Sequence, residues 1–153
     1  MPTGKLYRVG RVPLVGGRVE MQLWTPQLRR RWFAQNLIVD AGEALIAALM
    51  TNPGAVPPSH AALGDGGTAP DGLQTTLQGT EHQRVALAGS NEEATAIYEA
   101  TFVGSGSNVT VREAGLFNSD VGGTMLARWL TTVFTLPVGG TFYFKWTAEV
   151  AGE

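Results

Sequence analysis

A chain of 153 residues is long enough for one domain with its own buried core, and the lack of cysteine excludes disulfides, thiolate metal sites and cysteine nucleophiles. Hydrophobic residues make up 44% of it, yet no apolar run approaches the ~20 residues of a membrane span, and Met1-Pro-Thr-Gly-Lys5 has no apolar core behind it, so neither a membrane partner nor a leader peptide is expected. The net charge of −2 hides a split: residues 1–34 carry Lys5, Arg8, Arg11, Arg18, Arg29, Arg30 and Arg31 against Glu20 alone, a net of +6, while the other 119 residues carry four cations against twelve carboxylates, a net of −8. Such asymmetry points to a basic interaction segment beside an acidic body.

In chain order, residues 1–35 are interrupted by Pro2, Gly4, Gly10, Pro13, Gly16, Gly17 and Pro26. Only Arg18-Val-Glu-Met-Gln-Leu-Trp24 alternates polar and apolar residues as a half-buried strand does. This predicts an extended arm over 1–35 containing one strand, followed by a body over 36–153. Asp40–Met50 then predicts a helix, with Leu45, Ile46, Leu49 and Met50 on one face. Asp40 is the expected N-cap, with Glu43 completing a box-like start and Asn52-Pro53-Gly54 as the stop.

Residues 51–79 read as a long loop, in which Ala61-Ala62-Leu63 suits a short buried strand and Leu73 and Leu77 are candidates to pin the loop to the core. Strands are predicted at 81–88, 94–104, 107–113, 114–118, 124–136 and 141–150, separated mainly by glycine-containing turns. In the last strand Phe142, Phe144, Trp146, Ala148 and Val150 share one face. Ser119-Asp-Val-Gly-Gly123 predicts a hairpin turn between 114–118 and 124–128. Short strands at these intervals imply a mainly β chain, a jelly-roll-like antiparallel β-sandwich with one short α-helix over 40–50 and an N-terminal arm.

Several patterns invite chemistry, and each has a plainer explanation. His60 and His82 with Glu81 match no metal-ligand spacing. Gly64-Asp-Gly-Gly67 lacks the Gly-Lys-Ser/Thr ending and following helix of a phosphate loop. Asp65 and Asp71 lack the calcium-loop pattern and suit turns. Glu81, Arg84, Glu113 and Arg128 pair opposite charges on predicted strands; a glycosidase needs two such carboxylates, but cross-strand or intersubunit ion pairs explain them more simply. No enzymatic activity, metal or other cofactor is expected.

Arg29-Arg-Arg-Trp-Phe33 is the strongest local signal. Arginines beside aromatics grip nucleic acid by phosphate contact and stacking, or anchor a protein partner. The acidic body would repel a polyanion, so a protein partner is expected and no nucleic acid. Arg8, Arg11, Arg18, Arg29, Arg30, Arg31 and Trp32 are therefore the candidate protein-interaction residues.

One ordered set of short segments remains: Asn36-Leu-Ile-Val39 with Gly42, Leu63-Gly-Asp-Gly66, Glu81 with Arg84, Glu113-Ala-Gly-Leu-Phe-Asn118, Met125-Leu-Ala-Arg128 and the late Trp146. In this order they resemble a family of tailed-bacteriophage virion proteins, over roughly residues 36–150. With the basic segment and the absence of cysteine, the chain looks most like the capsid decoration proteins of thermophilic long-tailed phages. The resemblance implies a virion protein made in the host cytoplasm that binds the outside of the capsid shell. Its partners would be the major capsid protein and further copies of itself, as a trimer. The alternative within the same family is a tail-fibre or baseplate module.

Overall fold

The computed structural model describes residues 14–150, with side chains over 18–149. The strands are β1 (Leu14–Trp24), β2 (Arg29–Gln35), β3 (Leu37–Ile38), β4 (His60–Gly64), β5 (Glu81–Ala86), β6 (Ala88–Glu92), β7 (Thr95–Val103), β8 (Val109–Phe117), β9 (Met125–Leu136) and β10 (Thr141–Val150); α1 (Asp40–Thr51) lies between β3 and β4. They form two five-stranded antiparallel sheets, ordered β2-β1-β10-β7-β6 and β3-β9-β8-β4-β5. The result is the expected β-sandwich. The first described strand pairs with the last (β1 with β10), and β3 pairs with the penultimate strand β9.

Period-two alternation places the core. Met21, Leu23, Phe142, Phe144 and Trp146 from one sheet meet Leu63, Leu116, Trp129, Phe134 and Leu136 from the other, all buried. Aromatic rings fill the gap: Trp129 meets Phe144 edge-on at 5.0 Å, and Phe134 stacks on Phe142 at 4.8 Å between centroids.

The expected boundary at residue 35 is corrected. Residues 14–35 form two strands, joined by a tight turn in which Thr25 and Leu28 exchange backbone hydrogen bonds, and β1 is held by β10 through nine paired positions. The Arg-rich run escapes a strand reading because an edge strand needs only a partial apolar face. Arg8 and Arg11 lie outside the described residues. Two further strand readings change. Residues 107–113 and 114–118 join into the single strand β8, and the glycine-containing stretch expected to separate strands 81–88 and 94–104 belongs instead to β6, which starts at Ala88. Every β6 residue is exposed, so no hydrophobic period announces it.

The turn that follows β6 puts Glu93 at φ 50°, a left-handed conformation costing a non-glycine residue roughly 1–2 kcal/mol. Glu93→Asn, better suited to that conformation, is expected to stabilise the fold by about 0.5–1 kcal/mol in urea melts.

α1 spans the expected residues but starts differently. Val39 is the N-cap, with no side-chain cap bond, and Asp40 is the first helical residue. Tertiary contacts decide this: Val39 is buried, and its N–H donates to the Leu126 carbonyl at 3.2 Å. The Asp40 N–H donates to the Gly72 carbonyl at 2.8 Å, and its carboxylate remains near the positive helix end. Gly42 and Leu45 are buried, whereas Met50 is 81% exposed, so only the first turns press on the sheet. Leu77 is buried as expected, but Leu73 is 82% exposed, held outward by an Asx turn in which the Leu73 N–H donates to the Asp71 carboxylate at 2.8 Å.

Candidate functional site

Gly42, Leu63–Gly66, Glu81 with Arg84, Glu113–Asn118 and Met125–Arg128 come together on or against the β3-β9-β8-β4-β5 sheet, whereas Trp146 lies on β10 of the other sheet, buried in the core. Gly115 of β8 stands opposite Arg128 of β9, which places Glu113 diagonally beside the arginine. Both side chains are 0% exposed, and the Arg128 Nε–H donates to Glu113 Oε2 at 2.7 Å. The remaining lone pairs and N–H groups are spent on the long loop. Glu113 Oε1 accepts from the Gly66 and Gly79 amides at 2.9 and 2.8 Å, and Oε2 accepts from the Gln78 amide at 2.9 Å. The Arg128 guanidinium donates to the Thr68 carbonyl at 2.7 Å, to Gln74 Oε1 at 3.1 Å and to the Gly66 carbonyl at 3.4 Å.

A buried ion pair tolerates loss of water only when its other polar atoms are satisfied, and here backbone amides and carbonyls do so. The pair therefore closes the loop at both ends, near residue 66 and near residue 79. A Cβ on Gly66 would lie 2.4 Å from the Gly79 nitrogen and 2.6 Å from Glu113 Oε1, so the Leu-Gly-x-Gly spelling is a packing requirement. Asp65 adds a clasp, accepting from the Thr80 amide at 2.7 Å, with its other oxygen 3.6 Å from His82 Nε2.

Arg84 forms a second network beside the first. It donates to Glu81, with a shortest distance of 2.6 Å, and to the Ser119 and Gly122 carbonyls at 2.9 and 2.8 Å. Its guanidinium lies 4.0 Å from the Phe117 ring centroid. The β8–β9 turn is thereby tied to β5. Asn118 helps, accepting from the Thr124 amide at 2.7 Å and donating to the Val56 carbonyl at 3.2 Å. An open cleft of about 370 Å³ runs alongside, lined by Leu77, Glu81, Arg84 and Phe117 among others. Of the two expected ion pairs, Glu113–Arg128 is cross-strand and internal to one chain. Glu81–Arg84 is not cross-strand: the two lie three residues apart on β5.

The basic segment lies on the other sheet. Arg29, Arg30 and Arg31 are exposed on the edge strand β2. Trp32 is instead half-buried against the core, its indole N–H donating to Thr131 Oγ1 at 2.8 Å, so it anchors the edge of the sandwich rather than projecting from an arm. Trp24, at 49% exposure, and Phe33, at 46%, are the open aromatics of this region, whereas Trp129 and Trp146 are buried. On the outer face Arg31 pairs with Glu20 at 2.7 Å. That hydrogen bond holds the Glu20 carboxyl below its usual range, against the opposing effect of partial burial.

Nearby, burial and then the Glu99 and Glu20 carboxylates push the Tyr143 hydroxyl up to about 12. The folded state thus retains a proton that the unfolded chain loses from about pH 10. This contribution to stability is complete below pH 10 and is lost as pH rises toward 12. Alkaline unfolding midpoints should fall through that window, and Tyr143→Phe should flatten the fall; an identical slope in the variant would contradict the assignment.

Glu113 is sealed from solvent with all four contacts made, which leaves it no approach to a substrate. Among the described residues, no three His, Asp or Glu side chains are grouped as a metal ion would need. His60 bonds Ser59 Oγ at 2.9 Å, and the Gly64–Gly67 turn serves the loop closure. Sequence reasoning identified the charged members of the latch but missed Gln74, Gln78 and Gly79, whose roles arise only when distant segments meet. Comparison with protein-family models, with curated proteins and with solved structures yields no match.

Proposed function

We propose that this chain is a virion structural protein of a tailed phage, a decoration protein that binds the outside of the capsid shell and stabilises it by interlocking with neighbouring copies. One observation carries the proposal. Apart from Trp146, which is buried on the other sheet, the short segments on which the resemblance rests are parts of a single built unit, with Val39 and Gly42 docking the helix on β9, and Gly66, Glu113 and Arg128 closing the loop. A loop of this length held by a buried ion pair makes a rigid display surface, which suits a protein whose work is to present contacts. Stabilisation follows from mass action and avidity, since a subunit that touches the shell and its neighbours at once multiplies small contacts.

The exposed arginines of β2 supply the adhesive edge. Arginine is favoured where protein partners bind, and an edge strand already offers unpaired backbone groups. Replacing Arg29, Arg30 and Arg31 together by Gln is expected to weaken re-binding of the purified protein to particles stripped of it. The melting temperature should move little, because all three side chains are exposed. Undiminished re-binding, or a stripped particle no less heat-resistant than a decorated one, would oppose the proposal.

A further inference from the structure

We propose that β6 is a self-association edge: the β6 strands of two copies pair antiparallel about a two-fold axis at Ser90, which joins their β2-β1-β10-β7-β6 sheets into one. The inference concerns the chain in solution and goes beyond the virion role proposed above.

The two sheets end in the edge strands β2 and β6, and β3 and β5. An edge strand offers unpaired backbone groups to another strand unless charge, brevity or irregularity guards it. β3 has only two residues. β5 carries Glu81, His82 and Arg84, and its ladder with β4 shifts register between Leu63 and Gly64. β2 carries Arg29, Arg30 and Arg31, so two β2 strands repel each other. β6 reads Ala88-Gly-Ser-Asn-Glu92, with a single charge at its end and every residue exposed. It is the unguarded edge.

The directions of its backbone groups follow from the hairpin. β6 and β7 are joined by the two-residue turn Glu93-Ala94, which makes Glu92 and Thr95 a hydrogen-bonded pair. Such pairs alternate with non-bonded ones, so Ser90 with Ile97 and Ala88 with Glu99 are bonded pairs as well. The N–H and C=O groups of Gly89 and Asn91 therefore point away from β7, out of the sheet. They lie symmetrically about Ser90.

That symmetry selects a second copy over a foreign strand. In the two-fold register Gly89 of each copy faces Asn91 of the other, and about four backbone hydrogen bonds form. Ser90 meets Ser90, and Glu92 meets Ala88, so no like charges stand opposite within the strand pair. Gly89 and Ser90 are small enough to let the strands close. One repulsion remains, because Glu92 comes within about 10 Å of the other copy's Glu99, one strand beyond Ala88. Added salt should therefore strengthen the dimer. β2 lies at the far edge of the sheet, so its arginines stay open.

The test is self-association of the full chain by sedimentation equilibrium, read together with amide exchange at low and high protein concentration. Wild type is expected to dimerise reversibly, with slower exchange at Gly89 and Asn91 at high concentration and none of that slowing at Ser90 and Glu92. Asn91→Pro removes an outward N–H and spares the ladder to β7, a setting in which a strand tolerates proline. It should weaken dimerisation about tenfold. Ser90→Lys and Ser90→Glu should each weaken it about fivefold, and an equimolar mixture of the two should recover it, since only on the axis does residue 90 meet itself. Melting curves check that each variant folds. A wild-type chain monomeric at every concentration, variants that associate as wild type does, or a mixture no tighter than its parts would each overturn the contact. Weaker particle binding by Asn91→Pro with unchanged self-association would assign the β6 edge to the shell and overturn it too.

Discussion

Arg128→Met is expected to lower the unfolding free energy by about 3–5 kcal/mol, the usual consequence of leaving one member of a buried ion pair without its partner. Methionine replaces much of the side-chain volume, so the loss reports charge and hydrogen bonding more than a cavity. Glu113 would keep its three backbone donors but lose the guanidinium at 2.7 Å. The Thr68 carbonyl and Gln74 would lose their donor as well. Damage should therefore spread along the loop. Amide hydrogen exchange is expected to quicken at Gly66, Gln78 and Gly79 while amides of β1 and β10 stay protected. Removing both charges should be far milder than the sum of the single changes, because the two side chains share one network. Additive losses, or a loop whose exchange is untouched, would refute the latch.

Gly42→Ala is expected to destabilise the protein by about 2–3 kcal/mol, in the range of overpacked cores. The sign is the informative part. Within a helix, glycine to alanine ordinarily stabilises by roughly 0.5–1 kcal/mol. Here a Cβ would stand 2.0 Å from the Leu126 carbonyl oxygen, which is backbone and cannot swing aside. The helix would have to lift from β9, breaking the 3.2 Å bond from the Val39 amide to Leu126. Urea unfolding measures the loss, and faster exchange across 40–51 would locate it. A stabilised Gly42→Ala variant would mean that the helix start is not seated as described.

Much of the sandwich was legible because its strands carry their own patterns. β10 alternates so regularly that Phe142, Phe144, Trp146 and Ala148 could be named as its inward face, and the β8–β9 turn announced itself through Asp and Gly. The misses have a common cause. β2 and β6 are edge strands, one spelled largely with arginine and the other wholly exposed, so local hydrophobicity says little about either. The helix cap was misassigned because burial of Val39 outweighed the capping preference of Asp40. At the site, Glu113 and Arg128 stood out as charges inside apolar strands. Their partnership with amides at residues 66, 78 and 79 depends on chain closure across dozens of positions, which no short-range pattern encodes. The arginines of β2 were legible as a cluster, but their place on a sheet edge was not.

A place on the shell is tested most directly by the copy number of this protein in purified virions, measured by quantitative mass spectrometry against the major capsid protein. A decoration role predicts copies comparable in number to the major capsid protein. A mere handful per particle would move the chain to the tail, and absence from the particle would contradict a structural role in the virion.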